Sequence, residues 1–293
     1  GRQKNSKQFI DVLQKYKTKK LKIIFADTAD NSGQIKTDFL SFVDIYWKGQ
    51  ILKNKNEYMN LHYGGRLFTH YYNKTYKIKD VNEQCSAPIK DKKLLKKIKV
   101  CWNMGLCDHG TYSHIKQKLF SIFRSSIFIS NTNSFLYADY HKKYNLSCRI
   151  ETNYGRQTVE FQRKRIKILL KKYTNTYKIS RFKYLNEMKK SKCVISPFGW
   201  GELCPRDFET FLNGGILIKP KMDFFETWPN WYVSKENTSN KKFHTYLSFK
   251  WDLSNLENII HSVIKKYQDL KYIAKQGQEV YMLYTKGENS KEI

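Results

Sequence analysis

Three groups of residues in this sequence are of types and spacings that could do chemistry. The first lies in Ser196 to Asn230, SPFGWGELCPRDFETFLNGGILIKPKMDFFETWPN. Gly199 and Gly201 stand either side of Trp200, and Glu202 follows at once. Pro205, a favoured first-turn residue, then opens a predicted helix carrying Arg206 and Glu209. Backbone N–H groups in such a loop and at a helix N-terminus converge on a place for a phosphate or diphosphate. Arg206 can add a two-pronged hydrogen bond to phosphate oxygens. Glu209, three residues on, shares its helix face and can accept from a ribose diol. The plain alternative is a surface pair, with Glu202 as a first-turn charge complementing the helix dipole. Trp200 is the one aromatic kept for sugar stacking, because it lies inside the glycine loop; the others read as core.

The second group is Thr152-Asn153-Tyr154-Gly155-Arg156, between a predicted strand and a predicted helix. Arg156 is a further candidate phosphate contact, and Asn153 a candidate cap for the turn. The third is a set of carboxylates able to take a proton from a hydroxyl nucleophile. Asp30 is the first choice and Asp27 the second, both just past the apolar run LKIIF (Leu21–Phe25). Asp108, with His109, follows IKVCW (Ile98–Trp102) in an equivalent position. A structural hydrogen-bonding role is the commoner fate of a residue such as Asp27. No DxD-type acidic pair with supporting residues and no Cys/His cluster at zinc spacing is present, so no metal or cofactor is expected. Phosphate charge then falls to Arg, Lys and backbone dipoles.

These groups need strands to deliver them. Leu21–Phe25, Val43–Trp47 and Ile98–Trp102 read as short buried strands, as do Leu146–Glu151, Lys192–Ser196 and Ile216–Ile218. Helices are predicted over the first ~19 residues, with apolar positions at helical spacing, and over Thr158–Lys172, Arg181–Lys190 and Arg206–Leu212. Gly214-Gly215 ends the last of these. From Leu253 to about Tyr284 the chain reads as largely helical. Strands alternating with helices predict an α/β fold with a parallel, doubly wound sheet. Two domains are expected, residues 1–140 and 141–293.

The stretch from 194 to 232 resembles the donor-site signature of GT-B glycosyltransferases of the family-1-like group, including the CgeB-like proteins. The shared pattern is a glycine loop (Gly199, Gly201), an Arg (Arg206), a Glu (Glu209), then Gly214 opening the apolar strand ILIKP. The approach YLNEMKKSKCVISPFGWGE and the downstream TWPNWY and YLSFKWDLSNLENI are similar as well. FADTAD, VDIYWKGQIL and HYGGRLFTHYY resemble the short N-terminal domain of bacterial members tied to surface-polysaccharide synthesis. The resemblance implies two Rossmann-like domains facing a cleft, the first binding an acceptor and the second a nucleotide sugar, with a closing C-terminal helix. It gives Arg206 the diphosphate and Glu209 the ribose. One departure is visible: the usual two-glutamate motif has seven intervening residues, whereas Glu202 and Glu209 have six. The acceptor implied is a glycan or a lipid-linked precursor, and the alternative is an inactive scaffold of the same fold.

The formal net charge is +28, from 54 Lys plus Arg against 26 Asp plus Glu. Such a balance favours polyanionic partners. Lys far outnumbers Arg, no nucleic-acid-binding signature is present, and the basic residues run along the whole chain, so nucleic acid is not expected as a partner of the glycosyltransferase reading; a basic nucleic-acid-binding protein is the other alternative. An anionic membrane face remains a natural one. No apolar run approaches a membrane span, the polar start GRQKNSKQFI has no signal-peptide core, and the six cysteines read as reduced thiols. A cytoplasmic place, peripheral on the inner face of the membrane, is the expectation.

Overall fold

The computed structural model describes residues 2–82, 85–128, 134–235, 239 and 242–286, with side chains from residue 8 onward. It is a mixed α/β fold containing two parallel sheets, compatible with Rossmann-like units. The chain divides into two compact units. The first holds residues up to Asn103 together with Trp200–Glu202 and Phe224–Trp228; the second holds Met104–Gly199, Leu203–Asp223 and the chain from Pro229 on. The division thus falls after Asn103, not near 140. The physical reason is that the segment after Met104 is bonded to later elements of the second unit. The Leu136 N–H donates to the Leu212 carbonyl (2.8 Å), Gln278 Nε2 donates to the Leu136 carbonyl (3.0 Å), and the His109 ring stacks on Phe208.

The first unit opens with α1 (Arg2–Thr18), β1 (Ile24–Asp27), α2 (Thr37–Leu40), β2 (Ile45–Lys48) and β3 (Gln50–Leu52), followed by α3 (Leu67–Tyr76) and β4 (Ile98–Val100). Strands β1, β2 and β4 pair in parallel in that order, in a register that sets Asp27 opposite Lys48. β3 pairs antiparallel with β8 (Phe225–Thr227). The helix expected over the first residues is α1, but its apolar face is narrower than the spacing of Phe9, Ile10, Val12, Leu13 and Tyr16 suggests: Leu13 is buried and Phe9 packs on Phe39, while Val12 and Tyr16 face solvent. The core beneath it is Phe39, Leu40, Val43, Tyr46, Leu52, Leu95 and Ile98.

The second unit contains α4 (Ser113–Phe123), β5 (Tyr144–Ser147), α5 (Gln157–Leu170), α6 (Arg181–Lys189), β6 (Ser191–Ile195), α7 (Pro205–Leu212), β7 (Ile216–Pro220), β9 (Leu247–Phe249), α8 (Leu256–Lys265) and α9 (Tyr267–Lys286). Its parallel sheet has the order β5-β6-β7-β9. β7 is buried throughout and β6 nearly so, which is why CVI and ILI are unbroken apolar runs. In both parallel sheets spatial order follows chain order. The described strands therefore include no reversal of the kind that opens a switch-point crevice in a doubly wound sheet. After α7 the chain turns at Gly214 with φ +59°, and a Cβ there would lie 2.5 Å from the Leu136 carbonyl oxygen, so only glycine fits. α9 packs on α7 through Tyr281, whose ring meets Phe208, Phe211 and Trp231 at 5.5–5.9 Å.

Candidate functional site

In the second unit the chain leaves β6 at Ile195 and runs through Ser196, Pro197 and Phe198 to Gly199. α5 holds this turn from one side. Gln162 Oε1 accepts the Phe198 N–H (3.0 Å), and Arg163 Nε donates to the Phe198 carbonyl (2.8 Å). Arg163 Nη1 also donates to the Glu151 carbonyl (3.1 Å), and its guanidinium lies 4.4 Å from the centre of the Tyr154 ring. One buried arginine thus ties together the two loops at the carboxyl ends of β5 and β6. Its Nη2 lies 3.6 Å from where a Cβ on Gly199 would stand. Burial lowers the Arg163 pKa from its ordinary value. Sequence reading passed over Arg163. The signal was there: Val159, Arg163, Ile166 and Leu170 fall on one helical stripe, and a polar residue on a core stripe needs partners.

α7 supplies the second layer. Its N-terminus is closed by Asp207, whose carboxylate accepts the Cys204 N–H (3.2 Å). Arg206 points away from that cap. Its Nη2 donates to the Arg149 carbonyl just past β5, and its Nε lies 3.4 Å from Tyr184 Oη. Tyr184 donates in turn to Glu209 Oε2 (3.0 Å), and Arg181 Nη1 donates to Glu209 Oε1 (2.9 Å). Arg206 and Glu209 are not paired directly; Tyr184 from α6 lies between them, and the ion pair of Glu209 is with Arg181. Burial raises the Tyr184 pKa, the neighbouring Glu209 adding to the rise against the opposing Arg206. Arg206 is held above its ordinary value, burial being outweighed by Tyr184 and the thiols around it. The Glu209 side chain is only 5% exposed, and each of its oxygens carries one donor. A carboxylate offers about four acceptor positions, so two remain for a ligand. Nearby, the Arg149 guanidinium forks onto Glu187. Arginines thus outnumber carboxylates at this end of the sheet.

The β5–α5 loop is partly as expected. Asn153 and Gly155 are exposed and Arg156 is half-buried at the start of α5. The capping assigned to Asn153 belongs instead to Glu151, whose carboxylate accepts the Thr152 and Asn153 N–H groups. Trp200 is half exposed. The two loop glycines differ. A Cβ on Gly201 would stand 1.8 Å from the Asp30 carbonyl oxygen, an impossible contact, whereas at Gly199 the nearest atom is 3.5 Å away. Close packing within the first unit requires glycine at 201, and 199 is the roomier of the two.

Three expected site residues are corrected. Glu202 is fully buried and takes no outward-facing role. Its oxygens accept from the Ser32 N–H, Ser32 Oγ (2.7 Å) and Gln50 Nε2 (3.1 Å), all in the first unit, and burial raises its pKa. Asp27 accepts from Lys48 Nζ (2.8 Å), Tyr46 Oη (2.7 Å) and the Ala29 N–H (3.0 Å), so its carboxylate is enclosed by donors and unfit as a base. Asp108 accepts from the Gly110 N–H (2.8 Å) and Lys116 Nζ (2.9 Å), and it lies in the second unit rather than the first. His109 beside it is buried, with Nε2 2.7 Å from the Met104 carbonyl oxygen, and burial lowers its pKa. Asp30 differs from these: its side chain is 53% exposed, with Arg66 Nη2 at 3.0 Å. A cavity of about 260 Å³ borders His109, Thr111, Lys189 and Asn213, at the opposite end of α7 from Arg206.

Among the described residues, no group of three or more His, Cys, Asp or Glu side chains is placed to hold a metal ion, and no helix is long and apolar enough to cross a membrane. No protein-family profile matches the sequence, and no curated protein matches it.

Proposed function

We propose that this chain is a glycosyltransferase of GT-B type that moves a sugar from a nucleotide-sugar donor to a glycan or lipid-linked acceptor, as in surface-polysaccharide synthesis. The observation that carries the reading is the Arg206–Tyr184–Glu209 array beside the turn that ends in Gly199. It sets a guanidinium and a carboxylate one helical turn apart, beside a strand-to-helix turn whose backbone N–H groups can meet a phosphate. In this reading Glu209 accepts the ribose hydroxyls, Arg181 giving way or rotating to admit them. Arg206, Arg156 and the Gly199 amide face the diphosphate, with Arg163 holding both loops in place. Asn153 stays as a donor contact; Trp200, Gly201 and Asp30 belong to the first unit.

The departing diphosphate is stabilised by fixed positive charge, which costs no reorganisation at the moment of reaction. Asp30 takes the acceptor proton in an inverting transfer, with Arg66 orienting its carboxylate. The test is a thermal-shift screen of UDP, GDP, ADP and CMP and their sugars. At a hundredfold excess over the dissociation constant the matching nucleotide adds about 2.7 kcal/mol of stability. Indifference to every nucleotide overturns the reading.

A further inference from the structure

Helix α4 carries an apolar face that is exposed among the described residues. Ser113 is its buried residue. Ile115, Leu119, Ile122 and Phe123 stand at i, i+4, i+7 and i+8, one stripe of a helix. Ile115 is 45% exposed, Ile122 69% and Phe123 64%, and Ile127 in the turn that follows is 69% exposed. Scattered surface apolar residues need no explanation, but a continuous apolar stripe does.

Charge supplies an independent observation. From His109 to Ala138 there is no Asp or Glu, whereas Lys116, Lys118 and Arg124 all fall in that span. At about 100° per residue, Lys116 and Lys118 lie on opposite borders of the apolar stripe. Lys116 is paired with Asp108, while Lys118 and Arg124 are exposed. An apolar stripe bordered by cations is the pattern of a helix lying in a bilayer interface, with the apolar side chains at the acyl boundary and the amines reaching lipid phosphates.

We propose that α4, with the turn Ser126–Phe128, seats this chain on an anionic lipid bilayer. A second copy is a poorer occupant, because an isologous pairing would set each cationic border against its like. Nucleic acid is poorer too, since phosphates make no use of exposed isoleucine. The proposal does not depend on the glycosyltransferase reading.

The experiment is co-sedimentation of the full chain with phosphatidylcholine vesicles and with vesicles of phosphatidylcholine mixed with phosphatidylglycerol. The parent is expected to bind the mixed vesicles and to bind the neutral ones far more weakly. Ile122→Ser with Phe123→Ser should cut that binding at least about tenfold. Lys118→Gln with Arg124→Gln should cut it severalfold at low salt, more than Lys171→Gln with Lys178→Gln, which removes equal charge elsewhere. A urea unfolding midpoint equal to the parent's, measured on each variant, shows that the variants fold whether or not the chain binds a nucleotide. Unchanged binding by the serine variant overturns the proposal. So does an equal loss in both charge variants, or a dimer that dissolves in the serine variant while neither protein binds vesicles.

Discussion

Each unit buries an Asp–Lys–Tyr cluster, and the two are built differently. In the first, Asp27 accepts from Lys48 (2.8 Å), Tyr46 (2.7 Å) and the Ala29 N–H (3.0 Å). In the second, Asp207 accepts from Lys219 (2.9 Å), Tyr232 (2.6 Å) and the Cys204 N–H (3.2 Å). Asp27 and Lys48 meet because the β1–β2 register sets them opposite. Asp207 meets Lys219 because the first turn of α7 docks over β7. A strand register holds one pair and a helix cap holds the other. In both, the donors surround the carboxylate and withdraw it from chemistry. Asp30 and Glu209 have fewer donors each and keep acceptor capacity.

The largest effects should come from breaking these pairs. Lys48→Met and Lys219→Met each strand a buried carboxylate, and each should cost about 3–5 kcal/mol in urea unfolding. The double variants sharpen the comparison. Asp27→Asn with Lys48→Met removes both charges and should recover much of the loss. Asp207→Asn with Lys219→Met should recover a similar share, its amide oxygen still accepting the Cys204 N–H, whereas Asp207→Ala with Lys219→Met removes that cap and should recover about 1 kcal/mol less. Equal recovery by the asparagine and alanine versions would show that the cap contributes nothing.

Next in size is Asp30→Asn. Turnover should fall by about a hundredfold or more, equivalent to about 2.7 kcal/mol in the barrier, with the nucleotide thermal shift unchanged. A full-rate Asp30→Asn enzyme would remove Asp30 as the base. Smaller again is Glu209→Gln, which keeps the shape but weakens acceptance from the ribose hydroxyls. The dissociation constant of the matching nucleotide should rise about tenfold, as calorimetry would measure.

Local pattern made one part of the second unit readable. The helix expected at Arg206–Leu212 is α7, the strand at Ile216–Ile218 is β7, and Gly214 ends the helix between them. There, apolar runs, a first-turn proline and a glycine stop each act over a few residues. The strand expected at Leu146–Glu151 is β5 at Tyr144–Ser147, two residues earlier at its start and four at its end, because Cys148 and Ile150 stay buried after the ladder ends. In the first unit, the apolar run Leu21–Phe25 begins with exposed residues, and β1 is displaced to Ile24–Asp27. What sequence could not show is long-range pairing. Lys48 lies 21 residues from Asp27, and Ser32 lies 170 from Glu202. The same carboxylates therefore read as candidate chemistry until their donors were placed. Arg66, which pairs with Asp30, stands in the sequence only as one residue of the segment HYGGRLFTHYY.

The smallest effect separates Asp27 from Glu202, both buried in the first unit, by sign. At Asp27, burial opposes ionisation, but the Lys48 charge and the hydrogen bonds from Lys48, Tyr46 and Ala29 outweigh it, so its pKa is lowered. A free aspartate titrates near ~3.9. As pH falls, the unfolded chain therefore takes up this proton first. The stability Asp27 contributes is complete above the unfolded value and is lost as pH falls through the folded one. At Glu202, burial prevails over Arg66 and the Ser32 hydrogen bonds, so its pKa is raised. Its contribution is complete below the unfolded value of ~4.3 and is lost as pH rises through the folded one. Urea midpoints measured against pH should fall away on both flanks. Asp27→Asn with Lys48→Met should flatten the acid flank alone, and Glu202→Gln the other flank alone. If both variants flattened the same flank, the two carboxylates would share one environment, and the contrast between a donor-rich and a desolvated carboxylate would fail.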